Sequence, residues 1–592
     1  ERRNRHHVPF YPSREAAAAW TFEGQALNSW RMLDVETGQP AYMPRYTAEE
    51  YCINNPGFRL AYQTYARKLL RDTGIDGLMS DDCIHYGGWR TCGCAWCRQR
   101  FGQDFGRELP PVSDLSFWGN RDSAAFKDWI AMRFEDSGRF LACVKAALPG
   151  GFPLLSCCST SDYAAAPSSG LTYQELIKSA NLVMLEMCGN TPGLDGRWDG
   201  QMASQLLHLA IARDARVPCL GMGYGFYPDS AFFIWALNKY LGADTWFSTL
   251  PGRLAGPPEQ IAGLAEDPAL VGEGYAWEKQ HAQLFDTHSD ADAAVFFSRA
   301  TRDYYGQIHE DYTRDYQRTC SALSEAGLDF AVVTDIPQAR ERPVLVLGCA
   351  ACLSAGETAA LERYLEQGGT LIAFGPTGLR DERANPLARG WLERFGLRLE
   401  VEEPERVLTF PPYAQHAPEA ARCRGFFQEN PLAAEEWVEI VVGAGRLDWS
   451  QGRADAAGAG MAERVRAALP ERPLRLAGQP EGWAVRRFTE GGRSCFVGLP
   501  RQAAVRAHAQ IVNAFTQEGI IERIDYLPLG PRALELVWEH APASVRVYSP
   551  DLGQPREVQP VLAGPARTCA LDLSGIARFF VVEVIEGVSA NI

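Results

Sequence analysis

Gly74-Ile75-Asp76-Gly77-Leu78-Met79-Ser80-Asp81-Asp82 begins where a helical pattern stops, runs through a short apolar strand and ends on two adjacent acids. Upstream, Phe58 to Asp72 repeats apolar residues at helical spacing. Downstream the alternation continues: a helix from Ser123 to Leu148, a strand from Pro153 to Cys158, a helix from Thr172 to Ser179 and a strand from Asn181 to Met187. A helix from Gln201 to Ala215, a strand from Val217 to Gly223, a helix from Ser230 to Leu241 and a strand from Thr245 to Leu250 follow. Five strands alternating with helices predict a parallel sheet with right-handed crossovers. Polar and acidic residues gather at the C-terminal ends of these strands, where a barrel of this class keeps its active site, so the expected fold is α/β with a (β/α)8 TIM-like barrel. Before Gly74 only Val8 to Pro12 and Trp30 to Asp34 read as strands, so the front of the barrel is the weakly marked part.

A second βα block spans residues 286–395, with strands at Ala293 to Phe297, Phe330 to Thr334, Val344 to Leu347 and Thr370 to Phe374. Its helices at Tyr312 to Ala326 and Gly356 to Gln367 predict a small doubly wound domain. Beyond it helices thin out, and short Val, Leu, Phe and Tyr runs between Pro and Gly predict antiparallel strands. The expected divisions are a barrel over 1–285, the α/β domain over 286–395, a mixed continuation or insertion over 396–505 and a C-terminal β-sandwich over 506–592.

Composition narrows the partners. Of 592 residues 46% are apolar and 22% charged, which suits well-filled globular cores. With 58 basic against 73 acidic side chains the net charge is −15 and no basic block offsets it, which argues against nucleic acid. The run from Ile576 to Ile585 is broken by Arg578 and Glu583, and no run reaches the ~18 apolar residues of a membrane helix. Sixteen cysteines, many in apolar strand-like runs (Cys143, Cys157, Cys158, Cys219, Cys349), predict free thiols and a cytoplasmic location.

Four other cysteines have metal-ligand spacing. Cys92-Gly93-Cys94-Ala95-Trp96-Cys97 can turn three thiolates toward one ion, and Cys52, in Tyr51-Cys52-Ile53-Asn54-Asn55-Pro56, is the natural fourth donor of a tetrahedral structural zinc site. The plainer alternative is four reduced surface thiols. The segment from Cys52 to Phe101 resembles the glycoside hydrolase family 42 β-galactosidases, in which a Cys-x-Asn-x-Pro-type element, a strand bearing the acid/base and a C-x-C-x-x-C-(x)3-Phe element follow one another. Those enzymes also join a TIM barrel, an α/β trimerisation domain and a C-terminal β domain in that order. The resemblance implies zinc on Cys52, Cys92, Cys94 and Cys97, a carbohydrate substrate, cleavage of a terminal sugar and a homo-oligomer, with a trimer favoured.

Glycoside hydrolysis generally uses two carboxyl groups across the scissile bond. The family's strand ends Asn-Glu, whereas here the positions read Asp81-Asp82, so Asp82 inherits the acid/base place with a shorter reach. Asp81 is a second candidate; consecutive strand residues face opposite ways, so both acids cannot face the barrel axis unless the strand has turned. The family nucleophile closes the seventh strand, yet Val217 to Tyr224 holds no acid. One strand earlier, Glu186 sits inside an apolar run, where an unpaired carboxylate is costly. Met184-Leu185-Glu186 followed by Pro192-Gly193 and Trp198 resembles the family's Met-Glu-x-x-Pro and Trp pattern, and that resemblance makes Glu186 the candidate nucleophile; the bland reading pairs it with a neighbouring arginine such as Arg197 or Arg253. An alternative division makes Asp82 the nucleophile and Glu186 the acid.

Trp89, Trp198, Tyr224, Tyr227 and Trp246 follow or close the strands where a sugar-stacking platform belongs, although an aromatic residue so placed is more often part of a core. His85 can donate to a hydroxyl or tune a carboxylate. Gly221-x-Gly223-x-Gly225 lacks the rest of a dinucleotide fingerprint, and Cys349, in a block resembling a glutamine-amidotransferase fold, has no suitable histidine after it and reads as structural. The competing readings are a barrel enzyme with altered glycoside chemistry and a glycan-binding or assembly protein that has lost its acids.

Overall fold

A computed structural model describes residues 19–43, 48–80, 83–85, 88–156, 161, 166–186, 199–223, 227–247, 272–305, 310–402, 422–427, 430–431, 436–477, 482–513, 518–527, 533–558 and 567–587. Helix α1 (Pro56–Thr73) starts at Pro56 because Asn55 Oδ1 accepts the Gly57 and Phe58 amides, and ends at Gly74, whose φ of 63° an L side chain would resist. It leads into strand β1 (Leu78–Ser80), helix α2 (Ala95–Phe105) and helix α3 (Ala124–Lys145), then strand β2 (Leu154–Ser156). Strand β3 (Val183–Glu186), helix α4 (Asp199–Ala215), strand β4 (Cys219–Gly223), helix α5 (Pro228–Leu241) and strand β5 (Asp244–Phe247) follow.

β1 pairs parallel with β2, and β3 with β4 and β4 with β5. The Asn181 amide, donating to Leu154 O at 2.7 Å, joins the two groups into one arc. Five parallel strands of the predicted barrel are thus present among the described residues, in the expected order. Which face points outward follows from packing. A Cβ at Gly221 would overlap the amide of Asn238 on α5, so Gly221 and its register partners Leu185 and Thr245 face the helices. Glu186, Met222 and Trp246 are backbone partners on the next register line, and Met222 and Trp246 stand on the inner face. By the same logic Ser80, bonded to Tyr62 of α1 at 3.0 Å, faces outward and Met79 inward.

The α/β unit is one six-stranded sheet in which Ala293–Phe296, Phe330–Val333, Val344–Gly348, Thr370–Phe374 and Gly445–Ser450 are parallel and Trp437–Val442 is an antiparallel edge. Residues 437–450 thus carry this sheet well past residue 395. The C-terminal part stacks a six-stranded sheet, containing Trp483–Glu490, Arg493–Pro500 and Phe580–Ile585, on the three strands Leu474–Ala477, Ala533–Trp538 and Thr568–Asp572. One apolar core runs from Leu154, Val183 and Trp235 through Val295 and Ile372 to Val497 and Val581, so the three parts share buried surface. Among the described residues no helix is long and apolar enough to cross a membrane, and the twelve cysteines whose side chains are described are free thiols.

Candidate active site and metal centre

Cys52, Cys92, Cys94 and Cys97 are all buried, and their sulfurs lie within 4.8 Å of one another. Local sequence explains the arrangement. Cys94 caps α2 and Cys97 lies on its first turn, so x-x spacing turns both sulfurs the same way. Gly93 passes beside Val35, where a Cβ would come within 2.7 Å of the Val35 backbone. Cys52 precedes the Ile53–Asn54 turn that starts α1, its amide tied to Trp30 O at 2.7 Å. Cys52 lies 3.5 Å from Cys97 and 3.6 Å from Cys94, sulfur to sulfur. A tetrahedron with metal–sulfur bonds of about 2.3 Å has edges of about 3.8 Å, so the donor set fits one four-coordinate ion.

Amide groups complete the thiolate cage: Leu33 N–H points at Cys92 Sγ, and Asn54 N–H at Cys52 Sγ, each at 3.4 Å. Crowded together, the thiols cannot all ionise without a cation. The sulfurs of Cys92 and Cys94 hold the Cys52 thiol well above its ordinary range, Cys52 does the same to Cys97, and the hydrogen bond from Cys52 draws Cys94 down. A dication removes that conflict, because coordination deprotonates each thiol.

Behind the sulfurs lies a polar hub that sequence reading missed. Asp136, on α3, is fully buried; its Oδ2 accepts from Asn54 Nδ2 at 2.6 Å and pairs with His85 Nε2 at 2.7 Å, while Oδ1 faces the Arg100 guanidinium. Asn54 Nδ2 also reaches Cys97 Sγ at 3.4 Å, and Arg59 donates to Asn54 Oδ1 at 3.0 Å. One turn earlier on α3, Arg133 is buried and donates to the backbone carbonyls of Gly88, Thr91 and Ser168. The signal in the sequence was Arg133 and Asp136 standing one turn apart among the buried apolar residues of the helix.

His85, expected as a donor to a sugar hydroxyl, is only 1% exposed and is committed to Asp136; burial, then the Arg133 charge, drives its pKa well below the usual histidine value. Trp89 is half-buried against Phe126, with Arg121 and Arg133 over its ring, a packing role in the metal lobe. Tyr227 caps α5 and packs partly on the core, whereas Trp246 is 37% exposed on the inner face of its strand. Asp81, Asp82, Trp198 and Tyr224 lie outside the described residues, and of Glu186 only the backbone is described.

Neither a family model nor a curated protein matches the sequence. Solved structures match nearly its whole length. A β-galactosidase from Bacillus circulans sp. alkalophilus is 13% identical, covering 94% of this chain and 86% of its own, with a TM-score of 0.61. The GH42 β-galactosidase Gan42B is 14% identical over 95% of this chain and 86% of its own, TM-score 0.61. The chain has the fold of the family 42 glycoside hydrolases. The chain is also similar in fold to α-L-fucosidase isoenzyme 2 from Paenibacillus thiaminolyticus, at 17% identity over 95% of this chain and 85% of that one, with a TM-score of 0.62.

Proposed function

We propose that the chain is a glycoside hydrolase that removes a terminal sugar by paired carboxylates, Asp82 as acid/base and Glu186 as nucleophile. The observation that carries this reading is the family 42 fold together with a buried four-cysteine cluster, three of whose members follow Asp81–Asp82 closely in the sequence. In the reaction Asp82 gives its proton to the leaving oxygen while Glu186 attacks the anomeric carbon. The glycosidic bond breaks as the ester forms, and water, deprotonated by Asp82, then releases the sugar. A carboxylate separation of about 5 Å gives this retaining course, whereas about 6.5–9.5 Å places a water between the groups and inverts the anomer. Trp246, Tyr227, Tyr224, Trp198 and Trp89 are the candidate sugar platform.

Cys52, Cys92, Cys94 and Cys97 hold zinc in this reading; the ion supplies a crosslink between the start of α1 and the start of α2 and no bond-making chemistry. The α/β unit assembles a trimer, and the free thiols suit the cytoplasm. The test is turnover of a panel of α- and β-aryl glycosides by the intact chain beside Asp81→Asn, Asp82→Asn and Glu186→Gln. Loss of at least about a thousand-fold in kcat for Asp82→Asn and Glu186→Gln supports the pair. A strand β4 without an acid favours a second reading, a glycan-binding protein; binding of sugars with no turnover on the whole panel would establish that reading and overturn the first.

A further inference from the structure

The segment from Cys83 to Cys92 begins directly after Asp81–Asp82 and ends on a metal ligand. Its described residues are fastened to the body at several points. Cys83 lies against Ser80 and Ser156, 3.4 and 3.7 Å from their hydroxyls. The His85 amide donates to Ser169 O at 2.9 Å, and its ring bonds to Asp136. Arg133 takes the carbonyls of Gly88 and Thr91, and Cys92 enters the thiolate cluster. Two anchors, Arg133 and Asp136, stand one turn apart on α3, so a single helix face holds both halves of the loop.

Asp136 is where this loop meets the metal centre. Its Oδ2 is shared by His85, from the loop, and Asn54, whose same amide nitrogen touches Cys97 Sγ. His85 Nδ1 is buried and finds no partner among the described residues, so the ring is oriented through Nε2 alone. A thiolate bound to a metal is a fixed acceptor; it orients Asn54, which orients the carboxylate, which orients the histidine. We propose that Asp136 is a positioning residue which, through Asn54 and His85, ties occupancy of the cysteine centre to the order of the segment between Cys83 and Cys92. Because this segment follows Asp81–Asp82 directly in the sequence, the tie has a catalytic consequence under the glycosidase reading, and only that consequence rests on it.

The experiment compares the full, metal-loaded chain with Asp136→Asn, His85→Ala and His85→Gln, and with wild type after chelation. Metal per chain, hydrogen exchange over residues 83–92, and kcat and KM on the best aryl glycoside are read together. In Asp136→Asn and His85→Ala we expect retained metal, about ten-fold faster exchange confined to 83–92, and a kcat about ten-fold lower at unchanged KM. His85→Gln, whose amide nitrogen can stand where Nε2 stood, restores both. Chelated wild type shows the same local gain in exchange. Unchanged exchange in the metal-loaded variants, or a gain spread evenly over the barrel, overturns the proposal. If wild type cleaves no glycoside, the glycosidase reading falls, while the exchange comparison still decides the linkage.

Discussion

At the scale of single residues, buried titratable groups set how the fold answers to acid. His208 on α4 is fully buried; its Nε2 accepts from the Ser161 amide at 3.0 Å, and burial lowers its pKa to about 3. The unfolded chain takes up that proton near pH 6.5, while the folded chain refuses it until about pH 3. Stability from this group is therefore complete above pH 6.5 and is lost as pH falls below it, by about 2 kcal/mol at pH 5. Urea unfolding at pH 7 and pH 5 should show that loss in wild type and a smaller one in His208→Gln. Of the site residues, the four cysteines were legible because ligand spacing is a local property. Asp136 was not, because it meets Asn54 across 82 positions and nothing adjacent in sequence announces the pairing.

At the scale of elements, strand and helix alternation was readable from Gly74 onward, and the five strands occur in the expected order, with Glu186, Met222 and Trp246 as register partners. The extent of the α/β sheet was less readable, since Gly445–Ser450 returns to it after a long excursion that no periodicity marks. Gly221, set aside as a cofactor motif, has a packing reason: α5 lies so close to β4 that Asn238 donates to Gly221 O at 3.1 Å. Gly221→Ala should cost about 1–3 kcal/mol, and adding Asn238→Ala should cost less than the two changes summed, because the second makes room for the first. Denaturant midpoints of the three variants measure this; strict additivity would remove the explanation.

Across the whole molecule, ion pairs and hydrogen bonds tie the α/β unit to the C-terminal part. Asp329, in the α/β unit, pairs with Arg486 at 3.2 Å and accepts the Arg487 amide at 2.9 Å, both on the C-terminal sheet. Arg486, 4% exposed at its side chain, also donates to Phe330 O at 2.9 Å. Given the continuous core, calorimetry of wild type should show one cooperative transition. Asp329→Ala leaves a buried guanidinium without its carboxylate, at a cost of about 3–5 kcal/mol, and should split that transition or lower its midpoint. The hub around Asp136 has a consequence for descent. It is assembled from the turn before α1, the loop after β1, and helices α2 and α3, and each member leaves another buried group stranded when it goes. A lineage that abandons the cysteines gains nothing by keeping Asn54, His85, Arg100 and Asp136, and one that keeps them cannot easily trade any of the four alone. These eight positions should therefore be inherited as a block, and replaced as one.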